Sequence, residues 1–207
     1  ERASAIAAAH QLPLTVFGPT ELAEQGFGGI LGVGQGSANE PRFIAIEYGV
    51  QYNAGPTICL VGKGITFDTG GISIKPADGM DAMKMDMGGA AAVLGAFQAI
   101  AELQLPLHVV ALIGSAENMP SATAYRPGDI LTTLGGKTIE VLNTDAEGRI
   151  VLADALTYAQ RYKPAAIIDL ATLTGAIGVA LGPHAIGLMS NDDALAHRLM
   201  SAGAAAG

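Results

Sequence analysis

Three apolar runs constrain the fold of this chain more than any other feature. Residues 57–61, 107–113 and 165–170 consist mainly of Val, Ile, Leu and Ala. A strand that is apolar along its whole length is buried on both faces, which is typical of parallel sheets covered by helices. Helical segments rich in small residues are predicted over 86–104 and 148–162. We therefore predict an α/β fold with a mixed, largely parallel central sheet and helices on both faces.

The remaining segments are shorter and more polar. Further helices are predicted at residues 2–10, from residue 19 and at residues 192–202. Further strands are predicted at residues 14–17, 43–48, 138–142 and 185–189. Residues 172–180 are predicted to be helical or irregular. A turn-like sequence at residues 53–56 predicts that 43–48 and 57–61 form a strand pair. The Gly-rich residues 26–36 are predicted to form a loop or broken helix. They match neither G-x-G-x-x-G nor a G-K-[ST] ending, so no phosphate loop is expected there.

Composition excludes several classes of protein. Half of the residues are hydrophobic and only 14% are charged, which is enough apolar material for a sizeable core. The net charge of -8 argues against sequence-independent binding of nucleic acid, because such binding requires a basic patch. No run reaches the roughly 18 apolar residues of a membrane helix, so no membrane partner is expected.

Cys59 is the only cysteine, and it lies within an apolar run. One cysteine excludes an internal disulfide framework. We expect Cys59 to be a buried small hydrophobe. A reducing, cytoplasmic location fits this usage.

Polar residues follow the end of each predicted strand. Ligands of open α/β sheets bind outside the carboxyl ends of the strands, so these residues are expected to share one edge. They are Lys63 and Asp68 after the first run, Ser115, Glu117 and Asn118 after the second, Asn143, Asp145 and Glu147 after residue 142, and Thr172 and Thr174 after residue 170.

Seven charged residues are candidates for chemistry: Lys63, Asp68, Lys75, Asp86, Asp145, Glu147 and Arg149. Divalent ions take carboxylate oxygens as ligands, and two adjacent ions can share them. On an extended segment, Asp145, Glu147 and Arg149 would point to one side. An arginine there could bind a small anion. Taken singly, an Asp-x-Glu pair is also typical of a solvated surface, and a lysine between two glycines is typical of an exposed turn.

The other reactive residue types give weaker signals. The four histidines lack the spacing of a zinc motif, and His108 is predicted to be a hydrogen-bonded structural residue. Lys84 is predicted to be a surface charge, and Met83 to be either core or pocket lining. No Gly-x-Ser-x-Gly sequence is present, so a serine hydrolase has little support.

Residues 143–149, Asn-Thr-Asp-Ala-Glu-Gly-Arg, reproduce the signature of the leucyl aminopeptidase family of metallopeptidases (M17). Residues 61–76, 83–90, 117–121, 126–129 and 169–175 resemble further segments of that family in the same order. Thr69 stands where many relatives have Ser, and Ala122 where relatives often have Gly. Neither is a candidate ligand.

The resemblance implies a metal-dependent aminopeptidase that removes N-terminal, leucine-like residues from peptides. Two divalent ions are expected, zinc or manganese, with magnesium or cobalt also compatible. Asp68 and Glu147 would bridge them, Lys63 and Asp86 would complete the tighter site, and Asp145 the looser one. Bound metal lowers the pKa of water from about 15.7 toward roughly 7, which makes hydroxide available near neutral pH.

The resemblance also implies roles for residues around the metals. Lys75 would stay charged and polarise the scissile carbonyl, and Arg149 would hold a bicarbonate ion that acts as general base. The positions that match substrate-binding residues are Met83, Asn143, Thr172, Leu173 and Gly175.

Family organisation leads to further expectations. Residues 1–207 would be a catalytic domain that is incomplete at its C-terminus and lacks the family's N-terminal domain. The parent protein would be a cytoplasmic homo-hexamer of two trimers. Two alternatives stay open: another two-metal hydrolase such as a phosphatase, and a non-catalytic binding or regulatory protein. Some relatives bind DNA, but the net charge speaks against this here.

Overall fold

The predicted central sheet is present in the computed structural model, which describes residues 1–53 and 55–207. Within these residues the strands are β1 (Leu14–Phe17), β2 (Arg42–Tyr48), β3 (Thr57–Asp68), β4 (His108–Asn118), β5 (Ile130–Thr132), β6 (Thr138–Glu140) and β7 (Ala166–Leu170). The main sheet has the order β1-β2-β4-β3-β7, while β5 and β6 form a separate antiparallel pair.

Helices and short 3-10 turns connect the strands. The α-helices of the described residues are α1 (Arg2–His10), α2 (Pro19–Gln25), α3 (Gly28–Gly34), α4 (Gly88–Glu102), α5 (Glu147–Ala159), α6 (Ala176–Leu181) and α7 (Asp193–Ala206). The chain divides into two compact units, Glu1–Leu173 with the sheet and the first five helices, and Thr174–Gly207 with α6 and α7.

The strand directions confirm a mixed, largely parallel sheet. β3 pairs in parallel with both β4 and β7, whereas β2 is antiparallel to both β1 and β4. The predicted pairing of residues 43–48 with 57–61 is wrong, because β4 lies between β2 and β3. β4 is apolar on both faces, so the central position buries more of its surface than an edge would. The predicted turn at residues 53–56 includes Ala54, which lies outside the described residues.

The two faces of the sheet carry separate apolar clusters. Alternate residues of β3 point to opposite sides, so Cys59 and Val61 pack in the cluster with α3 and α5. Leu60 packs in the other cluster, together with residues of α1 and α4. The first unit therefore has helices on both faces of its sheet. Burial, with a smaller effect from the charge of Glu47, raises the pKa of Cys59 to about 11, as expected for a buried small hydrophobe.

Some predicted elements have different boundaries. Residues 185–189 do not form a strand, and Ile186 is 96% exposed, so the apolar pattern there does not reflect burial. Helix α4 begins at Gly88, two residues after the predicted start, and Met80–Met85 before it forms a 3-10 turn. None of the helices in the described ranges is long and apolar enough to cross a membrane.

His108 has the structural role that its position predicts. Its Nδ1 lies 2.8 Å from the Thr57 hydroxyl, and its Nε2 lies 2.7 Å from Glu47 Oε1. These contacts join the first residues of β3 and β4 to β2.

Asp154 connects α5 to two other parts of the first unit. Its side chain is fully buried, with Oδ2 accepting from Ile30 N at 2.9 Å and Oδ1 from Leu134 N at 2.7 Å. Burial raises the pKa of Asp154, and the backbone donors partly oppose this shift.

We expect Asp154→Ala to lower the free energy of unfolding by about 2–4 kcal/mol, because it leaves two buried N–H groups without an acceptor. Asp154→Asn keeps one acceptor oxygen and should cost less. Urea denaturation measures both changes. Asp78 is exposed, so Asp78→Ala is the matched control. Equal effects of the two alanine variants would contradict the anchoring role of Asp154.

Candidate metal centre

The candidate site lies at the carboxyl ends of the two central strands. Lys63 and Asp68 belong to β3, and Asn118 is the last residue of β4. Glu147 is the first residue of α5, and Asp86 directly follows the 3-10 turn Met80–Met85. The polar edge predicted from the sequence is thus formed by two neighbouring parallel strands and the segments beside them. Residues 138–140 contribute no strand to it, since β6 pairs with β5.

Three buried carboxylates converge here. Asp68, Asp86 and Glu147 each provide an oxygen within 4.8 Å of the others, and their exposures are 2%, 5% and 2%. Lys63 lies among them, with Nζ 2.7 Å from Asp86 Oδ2 and 2.7 Å from Glu147 Oε1. The same Nζ donates to the Thr172 carbonyl at 3.1 Å.

A second lysine, Lys75, joins the outer part of the cluster. Its Nζ lies 2.9 Å from Asp68 Oδ2 and also pairs with Asp145. Burial alone would lower the pKa of Lys75, but the hydrogen bonds to Asp145 and Asp68 and their charges raise it above its usual value. Lys75 therefore carries its positive charge at neutral pH.

The cluster has an excess of negative charge. When ionised, the carboxylates of Asp68, Asp86, Asp145 and Glu147 outnumber the ammonium groups of Lys63 and Lys75, which are the two cations paired with them in the described part of the chain. Burial raises the pKa of Glu147 to about 7, although the charge of Lys63 opposes the shift. Burial likewise raises the pKa of Asp86. Buried carboxylates require a cation or a proton, so additional positive charge would stabilise this arrangement.

The donor atoms fit a divalent cation. Asp86 Oδ2 is buried and lies close to Lys63 Nζ, yet it has no well-directed hydrogen bond within the described part of the chain. Several carboxylate oxygens together with one amine suit hard and borderline divalent ions.

Local backbone geometry brings Lys75 to this position. Gly70 and Gly71 have φ values of 87° and 66°, so the chain turns sharply after Asp68. Asp68 Oδ1 accepts hydrogen bonds from Gly70 N at 2.9 Å and Asn118 Nδ2 at 2.8 Å. Its Oδ2 faces Lys75.

The expectation of an extended segment through Asp145, Glu147 and Arg149 is wrong. Thr144–Ala146 is a 3-10 turn, and α5 begins at Glu147. The Asn143 side chain caps this turn by accepting from Asp145 N at 2.8 Å. Residues two apart in an α-helix lie on different sides, so Glu147 is buried and Arg149 is exposed. Among the described residues, Arg149 forms no ion pair with the carboxylates of the cluster.

The residues predicted to bind substrate have varied surroundings. Thr172 donates from Oγ1 to Asp86 Oδ1 at 2.7 Å, so it contacts a candidate ligand directly. Met83 is half-buried in its 3-10 turn, Asn143 is exposed, and Leu173 is 44% exposed. Gly175 precedes α6 in the second unit.

Two residues of the site were not singled out from the sequence. Thr144 and Tyr125 are fully or almost fully buried, and the Tyr125 hydroxyl donates to the Thr144 carbonyl at 2.7 Å. Burial, strengthened by the nearby carboxylates, raises the pKa of Tyr125, so the phenol stays a donor. The position of Thr144 inside the signature segment was the sequence signal that could have identified it. No sequence signal pointed to Tyr125.

Comparison with known proteins identifies the class of this chain. Residues 1–207 match the cytosol aminopeptidase family, catalytic domain. The chain belongs to this family, which confirms the resemblance carried by residues 143–149.

Individual relatives are similar over nearly the whole chain. This chain is 78% identical over 207 residues to a probable cytosol aminopeptidase of Roseiflexus castenholzii. The matched region is 100% of this chain and 42% of that protein. A probable cytosol aminopeptidase of Pseudomonas syringae pv. tomato is 58% identical over 204 residues, 98% of this chain and 41% of that protein. The chain spans about two fifths of the length of these curated relatives.

Proposed function

We propose that the protein containing this chain is a metal-dependent aminopeptidase that hydrolyses the first peptide bond of peptides and prefers leucine-like N-terminal residues. The observation that carries this proposal is the buried cluster of Asp68, Asp86 and Glu147 around Lys63. Membership of the cytosol aminopeptidase family supports it, as do relatives named probable cytosol aminopeptidases.

Five residues are proposed as ligands of two divalent ions. Asp68 and Glu147 would bridge the ions, Lys63 and Asp86 would complete one site, and Asp145 the other. The excess negative charge of the cluster supports cation binding, and its mixed donors are compatible with zinc, manganese, magnesium or cobalt. When bound, such ions lower the pKa of water so that hydroxide can attack a carbonyl at neutral pH.

Two further side chains are proposed to act on the reacting groups. Lys75 keeps its charge beside Asp68 and Asp145, and it would stabilise the negative charge that develops on the carbonyl oxygen. Arg149 would hold bicarbonate as the general base. Its guanidinium is an exposed cation two residues after Glu147, and a guanidinium suits a carboxylate-like anion.

Met83, Asn143, Thr172, Leu173 and Gly175 are proposed to bind the substrate. Met83 and Leu173 are apolar and incompletely buried, so they could contact an aliphatic side chain. Such a pocket would discriminate by about 1–3 kcal/mol per methylene group. The preference for leucine-like residues is therefore expected to be graded.

The remaining expectations concern the whole protein. We propose peptides as its partners, a homo-hexamer of two trimers as its assembly, and the cytoplasm as its location. The relatives' name, cytosol aminopeptidase, supports the last of these.

Hydrolysis of leucine p-nitroanilide by the full-length protein tests the function. With manganese or zinc added, we expect release of p-nitroaniline, and a chelator should stop it. Cleavage of p-nitrophenyl phosphate with no cleavage of the anilide would favour the alternative two-metal phosphatase. Metal binding without turnover of either compound would favour a non-catalytic protein.

A further inference from the structure

Thr144 is a fully buried residue that joins two parts of the candidate site. Its hydroxyl donates to the Gly70 carbonyl at 2.6 Å and accepts from Ser73 N at 2.8 Å. Its backbone N donates to the Ser73 hydroxyl at 3.1 Å. Thr144 thus holds residues 70–73, the segment between Asp68 and Lys75.

The carbonyl of Thr144 connects to a third part of the fold. It accepts from Asn118 Nδ2 at 2.9 Å and from the Tyr125 hydroxyl at 2.7 Å. Asn118 Nδ2 also donates to Asp68 Oδ1 at 2.8 Å. One buried residue therefore links the end of β4, the segment after Asp68 and the turn that leads into α5.

The packing around Thr144 leaves little freedom for the residues 70–73. A Cβ placed on Gly71 would lie 3.0 Å from Thr144 Oγ1 and 2.8 Å from Asn118 Oδ1. Such distances show that the backbone at Gly71 rests directly against both side chains. A shift of Thr144 would therefore move this segment.

This arrangement matters because the candidate ligands come from separate segments. Asp68 precedes the segment held by Thr144, and Lys75 follows it, whereas Asp145 and Glu147 come directly after Thr144 itself. The distance between these two sets depends on how the segments are fastened together. Partners that orient ligands in this way contribute strongly to metal affinity.

We propose that Thr144 is a positioning residue of the metal centre, whose hydrogen bonds hold the segment after Asp68 against the turn that carries Asp145 and Glu147. The inference rests on the proposed function only in assuming that these carboxylates bind a divalent ion. The hydroxyl is needed because it donates and accepts at the same time. Valine has nearly the same shape but can do neither, whereas serine keeps both capacities.

The test is the affinity of the full-length protein for Mn²⁺, measured by titration calorimetry. We expect Thr144→Val to bind Mn²⁺ about 10–100-fold more weakly than the unmodified protein. Thr144→Ser should restore most of that affinity. Hydrolysis of leucine p-nitroanilide should follow the same order.

Thr57→Val is the matched control, because it also removes a buried threonine hydroxyl. Thr57 Oγ1 lies 2.8 Å from His108 Nδ1, and Thr57 is the first residue of β3, whereas Asp68 is the last. We expect this variant to lose thermal stability but to keep its Mn²⁺ affinity. A purely structural role of Thr144 would make the two valine variants alike.

The outcomes separate the inference from the proposed function. Unchanged Mn²⁺ affinity of Thr144→Val, with normal binding by the unmodified protein, would overturn the positioning role alone. Failure of the unmodified protein to bind Mn²⁺ or Zn²⁺ would overturn both. If Thr144→Val does not fold, Tyr125→Phe removes one hydrogen bond to Thr144 at nearly constant volume. A several-fold weaker affinity would then support the inference, and unchanged affinity would overturn it.

Discussion

Glu147→Ala is expected to abolish peptide hydrolysis and metal binding together. The side chain is 2% exposed, and its Oε1 lies 2.7 Å from Lys63 Nζ, beside Asp68 and Asp86. Its removal takes away the proposed bridging ligand and leaves the charge of Lys63 with one fewer partner. Removing a single charge-stabilising group from an active site commonly costs about 10²–10³-fold in rate, and loss of a metal should cost more.

Metal content by atomic emission and hydrolysis of leucine p-nitroanilide measure the two effects in one preparation. Glu147→Gln keeps the shape and one acceptor oxygen, so we expect a smaller loss of metal. Glu140 is exposed on β6, and Glu140→Ala should match the unmodified protein. An active Glu147→Ala protein with its metal in place would refute the bridging role.

The second large effect is expected from Gly148→Ala, although this substitution adds only a methyl group. A Cβ at residue 148 would lie 2.7 Å from Cε and 2.9 Å from Nζ of Lys63. Lys63 is 2% exposed and is held by Asp86 and Glu147, so a displacement of its side chain would disturb these ion pairs. Displacement of a catalytic group by about 1 Å can cost roughly 10²-fold in rate, and we expect a loss of that size.

Gly95→Ala provides the same substitution where space is open. Gly95 is an exposed residue of α4, and an added Cβ would meet no atom of the described structure within 4 Å. We expect this variant to be more stable by about 0.5–1 kcal/mol and to keep its activity. Activity of Gly148→Ala equal to that of Gly95→Ala would show that the contact with Lys63 does not matter. Initial rates and thermal unfolding distinguish these results.

The fold could be predicted where burial dominates the sequence pattern. β3 and β4 are mostly buried and were located from their apolar composition. β7 was located in the same way, but its residues are only half-buried and Asp169 is exposed. The order of the strands could not be predicted, because an apolar run does not reveal its neighbour. Residues 185–189 show the opposite problem, since an apolar run alone does not show that it is buried.

The sequence predicted the residues of the candidate site better than their geometry. The signature segment identified Asp145, Glu147 and Arg149, but the extended geometry expected for them was wrong, because the helix predicted from residue 148 begins at Glu147 and a 3-10 turn precedes it. The helix turns Arg149 outward, while Glu147 points into the cluster. Thr144 illustrates the remaining difficulty, because its partners are 19 to 74 residues away in sequence and only the folded chain brings them together.

Metal titration of the full-length, metal-free protein, followed by calorimetry and by leucine p-nitroanilide hydrolysis on the same samples, tests the central claim most directly. We predict binding of two Mn²⁺ or Zn²⁺ ions per chain, with hydrolysis that appears as the sites fill and disappears when a chelator empties them. Full hydrolysis by the metal-free protein, or no binding of either ion, would contradict a two-metal aminopeptidase built on Asp68, Asp86 and Glu147.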